Sequence, residues 1–148
     1  MSHDPAKLPD PDARLRAHGL RATRARRLIL ELLAGRHDHP TTEQLHDALK
    51  ARGEQVGTAT LYQNLHRLVE AGIIGRLMDP RGLLRYEGNT APHHHLVCVH
   101  CGRIVDAEIE RLLPALGLPR DAHTGAPLHE WSLKGVRLEL KGLCPDCR

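Results

Sequence analysis

The sequence has no phenylalanine, and only one tryptophan and two tyrosines. Its core must therefore be built from Leu, Ile, Val and Ala. Lysine is also scarce, with 4 residues against 17 arginines. No apolar run approaches the 18 residues that a membrane-spanning helix needs. The first residues, MSHDPAKLPDPD, hold no apolar stretch of the kind a secretory signal requires. A cytoplasmic protein without membrane association is expected. Structural disulfides are rare in that compartment, so the four cysteines need another role.

What the sequence does have is twelve histidines and four cysteines in 148 residues. It also has an uneven charge. Residues 1–86 carry a net +4 and residues 87–148 a net −1, although the whole chain is only +3. Seven arginines face one acid, Glu31, between residues 14 and 36. All the cysteines, and the run His93-His94-His95, follow residue 92. The pattern predicts an α+β protein of two modules: 1–86, a breaker-rich hinge over 87–92, and 93–148.

The first module reads as helical. Thr23 caps a segment running to Ala34, with Gly35 as its stop. Thr41 and Gln44 form a capping-box pattern that opens a helix ending near Gly53. A third helix runs from near Thr58 to just before Gly72. Leu61, Leu65 and Leu68 form its buried stripe, while Ala59, Thr60, Gln63, His66 and Arg67 fall on the far side with Tyr62 at the border. Ile73–Met78 and Leu83–Glu87, joined by Asp79-Pro80-Arg81-Gly82, read as a β-hairpin. Three helices and a two-stranded wing make a winged helix-turn-helix, its third helix placed to enter a DNA major groove.

The second module reads as α/β. Leu96–Val99 and Ile104–Val105 are β-prone, Glu108–Leu116 has a helical apolar face, and Trp131–Leu133 and Val136–Leu140 suggest two more strands. A core of about 56 residues is marginal alone. It calls for a metal staple, a partner subunit, or both.

Cys98-x-x-Cys101 and Cys144-x-x-Cys147 supply the staple. Each two-residue gap lets both thiolates reach one ion at about 2.3 Å, and two pairs complete a tetrahedral zinc site. A redox pair of CxxC motifs is the competing reading. A hydrolytic zinc enzyme is not, because four thiolates leave no open position. The H-x-E signature of a zinc deaminase is also missing. We read no enzyme here.

His93 and His95 lie on the same side of a strand and can share an ion while His94 points away. Imidazole suits zinc, iron and other transition metals. Glu87, at the end of the wing, and Asp106 are plausible carboxylate partners. His39 is a further candidate that pattern alone does not connect. His3, His18, His37, His46, His66 and His100 read as ordinary surface or helix histidines.

Together these residues resemble the ferric uptake regulator family of metal-responsive repressors. The likeness runs from about residue 14 to the end. It covers Gly19-Leu20-Arg21-x-Thr23-x-x-Arg26, His39-Pro-Thr-Thr-Glu43-x-Leu45, Ala59-Thr60-Leu61-Tyr62-x-x-Leu65, His93-His94-His95-Leu96-x-Cys98-x-x-Cys101-Gly102 and Gly142-x-Cys144-x-x-Cys147. The resemblance implies a winged-helix DNA-binding domain, a hinge and an α/β dimerisation domain. It implies a homodimer bound to double-stranded DNA at a palindromic operator. Its regulatory metal site falls on His39, Glu87, His93, His95 and Asp106, beside structural zinc on the four cysteines. Its DNA contacts fall on Tyr62 and Arg21.

Three departures stand out. Gln63 replaces the arginine common after the tyrosine; Gln pairs with adenine rather than guanine. The further metal site of some members needs histidines where Pro92 and Val136 fall, so it is missing or rebuilt with His94, His123 or His129. No fifth cysteine is present for a zinc-sensing site, which favours Fe(II) or Mn(II) as the sensed ion over Zn(II). Glu87 resembles the iron-sensing branch and Asp106 the peroxide-sensing one, so a peroxide or zinc sensor on the same scaffold stays open.

Overall fold

The structure is a computed structural model that describes residues 10–109, 113–117, 119–132 and 136–148. Four helices come first: α1 (Pro11–Ala17), α2 (Arg24–Leu33), α3 (Thr42–Ala51) and α4 (Thr58–Glu70). A hairpin of β1 (Gly75–Met78) and β2 (Leu84–Glu87) follows. Then come β3 (His94–Cys98), β4 (Ile104–Ala107) and β5 (Glu139–Gly142), which form one sheet in the order β4-β3-β5.

The helix starts follow local chemistry. The Thr23 side chain accepts from the Arg26 amide at the head of α2. Thr41 and Gln44 complete both halves of a capping box on α3. Apolar residues at helical spacing then meet in one core: Ile29, Leu45, Leu49, Leu61, Leu65, Leu68 and Ile73 are all but fully buried. Each such side chain contributes roughly 1.5–3 kcal/mol by leaving water.

The sequence reading missed α1. Asp10 caps it by accepting from the amides of Asp12 and Ala13, Pro11 opens it, and Leu15 inserts into the core. The predicted third helix is therefore α4. It keeps its expected bounds to within about one residue.

Three expectations in the second half are corrected. Trp131 and Ser132 are not in a strand: the Trp131 amide donates to the Leu128 carbonyl in a turn, and the indole is 70% exposed. Leu133 lies outside the described residues. The strand expected over 136–140 is β5, displaced to 139–142. It runs parallel to β3, with Cys98 beside Gly142, a register that brings Cys144 back to Cys98. Of the helix expected over 108–116, residues 110–112 lie outside the described residues. Leu113–Leu116 is a 3-10 turn, as Pro114 cannot donate within an α-helix.

The two faces of the sheet differ. Leu96 pairs with Val105 on one side and Leu140 on the other, and all three are exposed. The opposite face carries buried Val97 and Ile104 together with His95 and Asp106, which meet Glu87 and His39 of the first half. Among the described residues, no helix is long and apolar enough to cross a membrane.

Candidate metal centres and nucleic-acid face

Two groups of potential metal ligands occur among the described residues: Cys98, Cys101, Cys144 and Cys147, and His39, Glu87, His93, His95 and Asp106. Within each, the donor atoms lie within 4.8 Å of one another.

The cysteine group is made by the sheet. Cys98 ends β3, Cys101 follows in a turn, and Cys144 and Cys147 follow β5. Cys101 Sγ and Cys144 Sγ are 3.8 Å apart. That matches the edge of a tetrahedron with bonds of about 2.3 Å, the zinc–thiolate length. The amides of Cys101 and Cys144 draw the Cys98 thiol down to about 6. Hydrogen bonding with Cys144 and burial push Cys147 up to about 12. Such a set of thiols, one already ionising easily, fits a soft divalent ion.

The second group draws on four separate pieces of chain. His39 sits in the loop before α3, Glu87 ends β2, His93 and His95 belong to β3 and its entry, and Asp106 lies in β4. Two backbone contacts align them. The Tyr86 amide donates to the Pro40 carbonyl, which sets the end of β2 against the His39 loop. His95 and Asp106 are paired residues of the sheet.

All three imidazole Nε2 atoms converge on the same two oxygens. From Glu87 Oε2, His39 is 3.3 Å away, His93 2.9 Å and His95 3.1 Å. From Asp106 Oδ1 the distances are 3.0, 3.6 and 3.6 Å. His39, His95 and Glu87 are buried. Burial opposes ionisation of Glu87, but hydrogen bonds from His39 and His95 outweigh it and hold the carboxyl far below its usual range. Burial likewise lowers His39, yet Glu87 and Asp106 raise it overall. Three imidazoles and two carboxylates suit a divalent transition ion. Among the described residues His39 Nδ1 is buried without a hydrogen-bond partner. The expected ligands are thus brought together, including His39, which the sequence pattern left unconnected.

His94 does point away, as alternation required: its Nδ1 accepts from the Leu138 amide. His123 and His129 join neither group.

Sequence reasoning missed three charged residues around these groups. Asp79, with its side chain fully buried, receives Arg85 Nη2 at 3.0 Å and Nε at 3.1 Å. Arg85 also donates to the carbonyls of His39, at 3.2 Å, and Gly102, at 3.4 Å. One guanidinium therefore touches the wing turn, the His39 loop and the cysteine turn. His39 has φ +49, a strained conformation for a non-glycine residue, and Arg85 holds its carbonyl there. Arg137 is the third; it reaches Glu87 from the segment before β5. Nothing in hydrophobic periodicity marks any of them.

Thr60, Tyr62, Gln63 and Arg67 are exposed along α4, with Tyr62 at 48%. Arg21 is exposed in the loop before α2, and its carbonyl accepts from Arg26.

The ferric uptake regulator family model matches residues 17–116. This chain belongs to the ferric uptake regulator family. It is a metal-responsive transcriptional regulator with an α+β fold. It is 31% identical to the peroxide-responsive repressor PerR of Staphylococcus saprophyticus, over 96% of this chain and 92% of that protein. The ferric uptake regulator of Vibrio cholerae has a similar structure: 29% identity, a TM-score of 0.71, and coverage of 91% of this chain and 100% of that one. The iron-bound regulator of Francisella tularensis is also similar, at 29% identity and a TM-score of 0.69 over 88% of this chain and 96% of that one.

Proposed function

We propose that this regulator is a homodimeric repressor whose grip on DNA is set by a divalent ion held by His39, Glu87, His93, His95 and Asp106. The observation that carries the reading is the convergence of those five donors from the α3 approach, the wing and the sheet. His39 travels with the helices, whereas His93, His95 and Asp106 travel with the sheet. Drawing them together fixes the angle between winged helix and sheet. The ion supplies the charge that holds two carboxylates and three neutral imidazoles in one place.

Zinc on Cys98, Cys101, Cys144 and Cys147 has the structural part, clipping β5 to β3. Fe(II) or Mn(II) is the sensed ion, since the five-residue cluster contains no thiolate. The exposed row Leu96, Val105 and Leu140 supports a second copy packed on that face of the sheet. Thr60, Tyr62, Gln63, Arg67 and Arg21 face the operator, a palindrome matching the two-fold dimer. The modules are 1–86 and 93–148, joined at 87–92, in a cytoplasmic protein.

The test is titration of a selected duplex with zinc-loaded protein, with and without added Mn(II). Binding tightens with Mn(II) in the proposed scheme; equal affinity in both removes the switch. A second reading, peroxide sensing, draws on the likeness to a peroxide-responsive repressor. Iron-loaded protein would then gain an oxygen atom on His39 or His93 after peroxide, seen by mass spectrometry. No such mass gain rejects it.

A further inference from the structure

The five-residue cluster is faced by a cation that metal ligation does not use. Arg137 Nη2 lies 3.2 Å from Glu87 Oε1 and 3.4 Å from His95 Nδ1. Glu87 turns its other oxygen, Oε2, to the three histidines. The guanidinium thus neutralises the carboxylate from behind.

Its contact with His95 has a chemical consequence. A guanidinium donates and never accepts. His95 Nδ1 must therefore accept, which leaves the ring proton on Nε2, pointing at Glu87 Oε2. In that tautomer Nε2 has no lone pair for an ion. A histidine that ligates through Nε2 needs the reverse, with Nδ1–H donating to an acceptor. His93 has that arrangement: its Nδ1 is 2.7 Å from the Ala91 carbonyl. Among the described residues, His95 is the one ring of the three that meets a donor at Nδ1.

We propose that Arg137 is an internal competitor of the regulatory ion, closing the cluster in the metal-free protein and leaving His95 when the ion enters. This rests on the reading of the cluster as a metal site. Two features permit the exchange. The Arg137 side chain is 53% exposed, against 6% for Glu87, so it reaches in from solvent. Beside it lies a cavity of about 470 Å³, lined by Ile74, Gly75, Glu87, His93, Val136 and Arg137 among others, with room for a displaced side chain. Arg137 then weakens ion binding and sets the concentration at which the regulator responds.

The test uses the full chain with its cysteine site zinc-loaded, titrated with Mn(II) against a competing chelator. Arg137→Gln removes the charge and, being shorter, withdraws the donor from both groups. The expected change is Mn(II) binding tighter by about tenfold, the scale of a unit charge facing a divalent ion in a water-like dielectric. Unchanged or weaker binding overturns the proposal and makes Arg137 a supporter of the site. His93→Ala is the control: it abolishes Mn(II) binding if the cluster is the site. Retention of binding in His93→Ala overturns the site assignment, and the competitor proposal with it. Imidazole nitrogen NMR supplies a readout independent of affinity. In wild-type protein lacking Mn(II), His95 carries its proton on Nε2; a proton on Nδ1 contradicts the proposal.

Discussion

His39 Nε2 lies 3.0 Å from Asp106 Oδ1, although one residue precedes α3 and the other sits in β4. This contact joins the helical half to the sheet through side chains whose charge depends on pH and on metal. The same two groups face Glu87, His93 and His95. A change at this point is therefore felt on both sides of the wing.

The pKa directions fix how the metal-free junction responds to pH. Glu87, held below its ordinary 4.5, stabilises the fold above that value and loses its contribution only in stronger acid. His39, raised above its ordinary 6.5, stabilises the fold below that value and loses its contribution as pH rises through the folded-state pKa. Metal-free protein is thus most stable between these two ordinary values, and its thermal midpoint falls on the alkaline side. Ion binding needs neutral imidazoles, so added Mn(II) stabilises more as pH rises. Thermal scans near pH ~5.5 and ~8, with and without Mn(II), check both signs. A metal-free midpoint that rises with pH contradicts the assignment.

The buried Asp79–Arg85 pair predicts a large effect from a residue outside both ligand groups. Asp79→Ala leaves Arg85 buried without its partner, a loss of about 3–5 kcal/mol. The His39 carbonyl then loses a fixed donor, and Mn(II) binding weakens as well. Urea unfolding of the zinc-loaded chain measures the first effect and chelator competition the second. A stability change under about 1 kcal/mol, the level of a surface pair, rejects the strut role.

Cys144→Ser removes a ligand at the point where β5 returns to β3. Structural zinc in small domains supplies on the order of 10 kcal/mol of apparent binding energy. The expected result is loss of zinc and of amide protection in β3 and β5, with α2 and α4 still protected. Elemental analysis and hydrogen exchange read these separately. Full zinc retention would show that another residue completes the site.

On the DNA face, Gln63→Ala should cost about 1–3 kcal/mol at one base pair and relax preference there. Arg21→Ala should weaken binding to all sequences alike and lower the salt slope by about 1. Binding to a selected duplex and its single-base variants, at several salt concentrations, distinguishes the two. Sequence-independent loss for both variants rules out base reading by Gln63.

Much of this was legible where chemistry is local. The Thr41/Gln44 box, the Thr23 cap, the Leu61–Leu65–Leu68 stripe and the hairpin around Asp79 follow from short-range rules, and the structure has them. The Cys pairs and the His93/His95 alternation were legible because two-residue spacings fix geometry. What spacing cannot encode is contact between distant pieces. His39 meets Glu87 where the Tyr86 amide bonds the Pro40 carbonyl and Arg85 bonds the His39 carbonyl. The displacement of β5 follows from parallel pairing with β3, invisible in the alternation of Val136, Leu138 and Leu140. Asp79, Arg85 and Arg137 read as ordinary surface charges until the fold buries or faces them. By contrast, α1 had a local signal, Asp10-Pro11, that the sequence reading passed over.

Coupling between the five-residue cluster and DNA is the core of the proposed switch, and linkage makes that coupling measurable from the metal side. The direct measurement is the Mn(II) affinity of zinc-loaded protein, alone and with saturating selected duplex. DNA is expected to tighten Mn(II) by the same factor by which Mn(II) tightens DNA, and His93→Ala with His95→Ala to abolish the effect while zinc stays bound. An Mn(II) affinity indifferent to DNA would contradict it.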